Sequence, residues 1–383
     1  MIRPPNRASW SAQLGVCRTL IRALWFFIWL LIPHTASAIT CESDGRYVMG
    51  TVLEITLCAE YVGSVRQHLE PLFTTAIHLD ASLTTYDLNS PVSRLNASAG
   101  AGPTSVPHEV SDLLTLSLRY SQLTQGTFDV TIGPLMLLWR DAVLHHTIPN
   151  RKELRRVRSI IGSDKVRLLP HDTVILRPGM AVDFGGIGKG YALDQLQKQL
   201  KQQQIQHALL DFGQSSIWAL GSPPDAQGWR ILLQQPDGRL VGILTLRDHA
   251  LSISASMGQA FEINGRQYGH IINPRTGHPL QRDLLACVIA PTATQAEALS
   301  KALLILGERE GLLLFQRLPG VEGILVETNG RQWMTPGWQQ AVTFSSYEPM
   351  PSGSLQLPFL NSQTFNPYLK RRMPPDFLES RKE

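Results

Sequence analysis

The sequence predicts an α+β domain with strands and helices mixed along the chain. Three observations carry this. Turn-forming pairs separate strand-like runs at three places, four segments have amphipathic helical spacing, and no regular strand–helix–strand repeat links them. Residues 49–57 (MGTVLEITL) read as an opening strand, and helices follow at 65–83 and 110–123. A strand-like run at 174–177 precedes a glycine-rich stretch and a helix at 189–203, with apolar Leu193, Leu196 and Leu200 on one face. Gln234-Gln235-Pro236-Asp237-Gly238 joins strands at 229–233 and 240–246, and Asn264-Gly265 and Asn329-Gly330 mark two further hairpins. A last helix is expected at 295–306, where Leu299, Leu303 and Leu306 align.

The chain has 383 residues, 43% hydrophobic and 17% charged, which excludes disordered and fibrous classes and permits a large core. Its formal charge of +4 comes from the leader. Residues 1–38 hold Arg3, Arg7, Arg18 and Arg22 and no acid, leaving 31 basic against 31 acidic residues elsewhere. Nothing electrostatic points to nucleic acid. Those arginines, the apolar run at 23–32 and Ala36-Ser37-Ala38 make a cleavable signal peptide. The run is too short for the ~20 residues of a membrane span. Export, in a bacterium to the periplasm, is therefore expected.

Residues 39–345 form the expected folded domain, and the Pro- and Ser-rich residues 346–383 a flexible tail. After cleavage Cys41, Cys58 and Cys287 remain; Cys41 and Cys58 can pair in an oxidising compartment, with Cys287 buried in an apolar run. Cys41 could instead carry a lipid, but Ala38-Ile39-Thr40 is a poor lipidation signal, which favours a soluble mature protein.

The chemistry concentrates at residues 183–191, Asp-Phe-Gly-Gly-Ile-Gly-Lys-Gly-Tyr. Four glycines in six residues permit close backbone approach, the following helix start offers amides, and Lys189 adds a charge: the makings of a phosphate site. A P-loop is excluded, because Asp183 and Gly190 stand where it needs Gly and Ser or Thr. Without further context the same stretch reads as a tight turn beside a solvated lysine.

Several segments, taken together and in order, resemble the ApbE-type flavin transferases. They are Met49-Gly50-Thr51; Thr85-Tyr86 with Ser90-Pro91-Val92-Ser93-Arg94-Leu95-Asn96; Gly126-Thr127-Phe128-Asp129-Val130-Thr131 through Gly133-Pro134-Leu135 to Trp139; 183–191; Ser252-Ile253-Ser254; and His270-Ile271-Ile272-Asn273-Pro274-Arg275-Thr276-Gly277. The resemblance implies an α+β flavin-binding fold. It also implies transfer of FMN from FAD to a Ser or Thr hydroxyl of a partner protein, an exported or membrane flavoprotein subunit, with release of AMP. By the same resemblance Met49, Tyr86, Thr127, Phe128, Asp129, Asp183 and Lys189 contact FAD. Tyr86 would offer its ring to the flavin and Lys189 its charge to phosphate, with His270 handling the acceptor proton or the nucleotide. Read alone, Phe128 and Trp139 are equally core residues, Asp129 a turn cap and His270 a structural histidine.

The metal corner departs from that family, which places an Asp, and four residues later a Thr, at a helix start to hold a divalent ion such as Mg²⁺ with a loop carbonyl. Here the corner is Glu297 and Lys301, with Ser300 between and Gly186 as carbonyl donor. Glu can bind Mg²⁺, whereas a protonated lysine cannot. Two expectations follow: either the Lys301 ammonium takes the place of the cation beside Glu297, making FAD binding nearly independent of Mg²⁺, or Lys301 turns to solvent and Glu297 binds the metal. Thr294 and Glu297 also fit a capping box. Asn273 and Phe212-Gly213-Gln214-Ser215 are further departures. A non-catalytic FAD carrier is the alternative function.

Overall fold

A computed structural model of the chain describes residues 39–59, 62–235, 238 and 240–341. The expected signal peptide at 1–38 and the tail at 346–383 lie outside the described residues. The frame is an antiparallel sheet whose strands follow one another in space as they do in sequence. They are β1 (Thr40–Val48), β2 (Thr51–Ala59), β3 (His207–Phe212), β4 (Ser216–Leu220), β5 (His249–Ala255), β6 (Leu284–Ala290), β7 (Glu322–Glu327) and β8 (Gln332–Met334). Because consecutive neighbours are antiparallel, the β1–β2, β3–β4 and β5–β6 connections all emerge at one end of the sheet.

The expected opening strand is divided. Met49-Gly50 is the turn of the β1–β2 hairpin, with φ of 51° and 79°, the pairing that a two-residue hairpin of right-handed twist demands. Cys41 faces Cys58 across this hairpin, and the two are disulfide-bonded, leaving Cys287 as a buried free thiol. The hairpins at Asn264-Gly265 and Asn329-Gly330 form as expected, and 229–234 pairs with 240–246. Residues 236 and 237 of that last turn lie outside the described residues.

β6 shows why the sheet is covered on both sides. All seven of its residues are buried, and they divide by strand periodicity. Leu284, Ala286, Val288 and Ala290 join the helical core, whereas Leu285, Cys287 and Ile289 pack with Trp229, Ile231, Leu244 and Leu246 of the hairpin on the other face.

The longer helices are α1 (Val62–Leu83), α2 (Pro91–Ala97), α3 (His108–Leu123), α4 (Gly133–Leu144), α5 (Arg151–Ile160), α6 (Gly188–Gln202) and α7 (Ala293–Phe315). The core on their side includes Leu72 and Phe73 of α1, Leu193, Leu196 and Leu200 of α6, and Leu299 and Leu303 of α7. α7 extends past the expected end at Leu306, but its helical geometry breaks at Gly307 (φ 73°), a left-handed position that only glycine adopts freely. A smaller core holds Trp139 of α4 against Leu154 and Val157 of α5 and Tyr268 and Ile272; Trp139 is therefore structural.

Candidate functional site

The glycine-rich loop is fixed before it reaches the helix. Asn96 of α2 clamps the backbone of Val182, accepting its N–H (2.7 Å) and donating to its carbonyl (2.9 Å). Asp183 donates its amide to the Val130 carbonyl (2.8 Å), and its side chain accepts from Gly185 N–H (2.7 Å). Phe128 is buried, and its ring edge lies 3.7 Å from where a Gly186 Cβ would stand, so the loop runs along that ring.

Thr127 and Asp129 are engaged within the protein. Thr127 donates to the Thr124 carbonyl. Asp129 caps the short helix 130–132, accepting from Thr131 N–H and hydroxyl, from Ser163 N–H and, at longer range, from the Ser121 hydroxyl. Burial raises the Asp129 carboxyl even so. Met49 sits in its turn with its amide on Asp80 of α1 (2.9 Å). Tyr86 is 84% exposed in the α1–α2 connection, with the Arg140 guanidinium carbon 5.9 Å from its ring centre. An exposed aromatic face of this kind can stack on a planar ligand.

The helix start offers fewer amides than the sequence promises. Gly188 N–H bonds to the Phe184 carbonyl and Tyr191 N–H to the Ile187 carbonyl. Gly190 N–H donates to Glu297 Oε2 at 2.6 Å. Three of the first four amides of α6 are thus taken, leaving an anion the Lys189 amide and the charged side chains. Lys189 Nζ reaches the Ser215 hydroxyl at 2.6 Å, tying it to the β3–β4 turn.

α6 and α7 meet at their N-termini. A Cβ on Gly190 would lie 2.4 Å from the Ala293 carbonyl oxygen, so glycine is required for the crossing. Asp194, one turn further along α6, caps α7: it accepts from Ala293 N–H (2.7 Å), Thr294 N–H (2.9 Å) and the Thr294 hydroxyl, and from Trp218 Nε1 (3.1 Å). This residue escaped the sequence reading; an acid flanked by the apolar face of α6 was the available signal.

The expected capping box at Thr294 and Glu297 does not form. The N-cap is Thr292, whose side chain accepts from Gln295 N–H, because Thr294 is held by Asp194 and Glu297 turns inward. Glu297 is fully buried, with Oε1 3.2 Å from the Ser216 hydroxyl and 3.3 Å from Lys301 Nζ, while Oε2 holds Gly190 N–H. Burial works to raise its carboxyl, but the charges of Lys301 and Lys189 and the Gly190 amide outweigh it and hold the group below its ordinary value. Burial, with Lys189 adding to it, pushes Lys301 down to about 8 against the attraction of Glu297. The Lys301 side chain is 17% exposed, which overturns the alternative that it turns to solvent.

Ser300 is fully buried and bonds to the hydroxyls of Ser252 (3.0 Å) and Ser254 (2.9 Å) and to the Glu297 carbonyl. That ladder explains the Ser252-Ile253-Ser254 motif, since it fastens α7 to β5. These residues do not fit a resident divalent ion. The carboxylate is already shared among an amide, a hydroxyl and an ammonium, and the ammonium has no lone pair to give. Among the described residues no three His, Cys, Asp or Glu side chains gather as a metal set. The side chains of Glu297, Ser300 and Lys301 accordingly do not match the Mg²⁺ expectation, in which Gly186 was to add its carbonyl.

His270 lies in the β5–β6 connection. Burial and the neighbouring Lys301 charge push it down to about 4, so its imidazole is neutral at pH 7, and its buried Nδ1 has no hydrogen-bond partner. The loop after it is well anchored. Trp139 Nε1 donates to the Gly277 carbonyl (2.7 Å), and Arg275 donates to the Gln125 carbonyl. Asn273 Oδ1 accepts from Arg275 N–H (2.9 Å), a turn that an amide closes as well as a carboxylate does.

An antiparallel sheet backed by helices thus carries two helix-borne lysines, a half-buried histidine and an exposed tyrosine. The chain belongs to the ApbE family, whose model matches residues 49–325. It is 31% identical to the FAD:protein FMN transferase of Salmonella typhimurium strain LT2, over 79% of this chain and 89% of that protein. It is 28% identical to the enzyme of that name from Escherichia coli K12, over 67% and 76%. Among solved structures it resembles the apo form of Pseudomonas stutzeri flavinyl transferase ApbE, at 25% identity and a TM-score of 0.72, over 80% of this chain and 98% of that one. The ApbE protein of Thermotoga maritima shares the fold at 23% identity and the same TM-score, covering 79% and 99%.

Proposed function

We propose that this protein transfers FMN from FAD to a Ser or Thr hydroxyl of a protein acceptor, releasing AMP. The observation that carries this reading is the meeting of the glycine loop with the start of α7: Glu297 holds Lys301 Nζ at 3.3 Å and the Gly190 amide at 2.6 Å, next to Lys189. The lysines suit a pyrophosphate, and the unpartnered Nδ1 of His270 can accept from an acceptor hydroxyl. In the transfer step the acceptor oxygen bonds to the FMN phosphorus as the phosphorus–oxygen bond to AMP breaks. AMP leaves with that electron pair, and the hydroxyl proton passes to the His270 imidazole. Much of the catalysis in such a step is positioning and charge stabilisation. Tyr86 would take the flavin ring. No step is assigned to a divalent metal.

A specific observation also supports a carrier reading: the carboxylate at the departed corner is closed by Lys301. The deciding experiment mixes the protein with FAD and candidate flavoprotein subunits and measures acceptor mass together with AMP. An FMN-sized mass gain with stoichiometric AMP is expected; bound FAD without either product would establish the carrier.

The acceptor is proposed to be an exported or membrane flavoprotein subunit, reached after cleavage of residues 1–38. The Cys41–Cys58 disulfide supports an oxidising compartment and occupies the sulfur that lipidation would use.

A further inference from the structure

We propose that Lys301, held by Glu297, is a built-in replacement for a divalent cation, so that the pyrophosphate of a dinucleotide binds here without metal. This rests on the FAD reading above for the identity of the ligand.

The geometry is that of a constructed cation site. Glu297 is fully buried and fixed from three directions, by the Gly190 amide, the Ser216 hydroxyl and Lys301 Nζ. Its helix is fastened to β5 through Ser300 and capped by Asp194, and the carboxylate meets an incoming ion only by giving up its Gly190, Ser216 and Lys301 partners. Lys301 is one helical turn after Glu297, the separation at which the two side chains share a face. Gly190, the residue after Lys189, bonds to the same carboxylate that holds Lys301 Nζ, so the Lys301 ammonium is fixed close to the glycine loop. An ammonium serves a phosphate as a point charge, without ordering several oxygens as a metal does. The charge is also part of the chain, so below about pH 8 no ion has to be recruited from solution.

The test is a titration of the protein with FAD, followed by flavin fluorescence, in EDTA and in excess Mg²⁺, with riboflavin as the ligand that lacks phosphate. The FAD dissociation constants in the two buffers should agree within about twofold. Lys301→Arg should retain that metal independence. The double change Glu297→Asp with Lys301→Thr should create dependence, with FAD affinity at least about tenfold weaker in EDTA than in Mg²⁺ and riboflavin unaffected. Circular dichroism establishes that each variant is folded. If the unaltered protein binds FAD only with Mg²⁺, or binds no FAD in either buffer, the proposal is overturned. If it binds FAD without metal but transfers no FMN to any acceptor, the transferase reading falls and the replacement of the cation stands.

Discussion

The Gly190 amide donates to the Glu297 carboxylate at 2.6 Å across 107 residues of sequence, joining the starts of two helices at one buried oxygen. The contact depends on the absence of a side chain at Gly190, which lets the Ala293 backbone approach.

Gly190→Ala should therefore be costly in a way that helix propensity would not suggest, since alanine is the better helix former. The new methyl would force α6 and α7 apart, an overpacking penalty of about 1–3 kcal/mol. Denaturant unfolding should show this loss, together with weakened FAD binding because Glu297 and Lys301 move with α7. Unchanged stability would mean that the helices can separate freely.

Asp194→Ala should destabilise the fold by about 3 kcal/mol, because it leaves the Ala293 and Thr294 amides and Trp218 Nε1 without their acceptor in a buried setting. Thermal unfolding measures it, and Asp194→Asn should recover part of the loss.

Tyr86→Ala and Lys189→Ala should separate the two ends of the ligand. Loss of the exposed ring should weaken FAD and riboflavin alike, by about 1 kcal/mol. Loss of the Lys189 charge should weaken FAD and leave riboflavin nearly unchanged. Fluorescence titration of both ligands decides, and equal effects of both variants on both ligands would contradict the assignment.

Stability should also carry a pH signature from Asp211, which faces Glu54 across the β2–β3 pair. Burial, with the Glu54 charge adding to it, pushes Asp211 up to about 6, despite the opposing Gln214 amide and Lys189 charge. A raised carboxyl holds its proton more tightly folded than unfolded. Its contribution is complete below about pH 4 and is lost as pH rises through about 6. Asp211→Asn should therefore stabilise the protein at pH 8, by roughly 1–3 kcal/mol, and make little difference at pH 4. A gain that is the same at both pH values would show that the titration is not responsible.

The hairpins at Asn264-Gly265 and Asn329-Gly330 were legible because a two-residue turn is chemistry between neighbours. β1 was not, since its sequence TCESDGRYV lacks a continuous apolar face and it is placed as a strand by pairing with β2. α5 carries five basic residues and buries only Leu154 and Val157, so its apolar pattern is thin, although its Asn150–Glu153 capping box was there to read. At the site, the i, i+4 spacing announced the Glu297–Lys301 pair. Its partners Gly190 and Ser216 came from other elements, and long-range convergence leaves no mark in local spacing. The glycine loop, likewise, advertised free amides that tertiary contacts then occupied.

The double burial of β6 leaves an alignment problem for the folding chain. A strand that is apolar on both faces can slide by one residue without exposing a wrong side chain, so hydrophobicity does not say which neighbour belongs opposite which. Shape supplies the missing instruction. Val288 pairs with Gly323 of β7, and a Cβ on Gly323 would lie 2.5 Å from the Phe315 ring at the end of α7. Only the alignment that sets this notch beneath the aromatic ring lets the helix close over the sheet. Phe315 thus acts as a key that reads the register, and enlarging Gly323 would give misaligned strands an advantage over the native pairing.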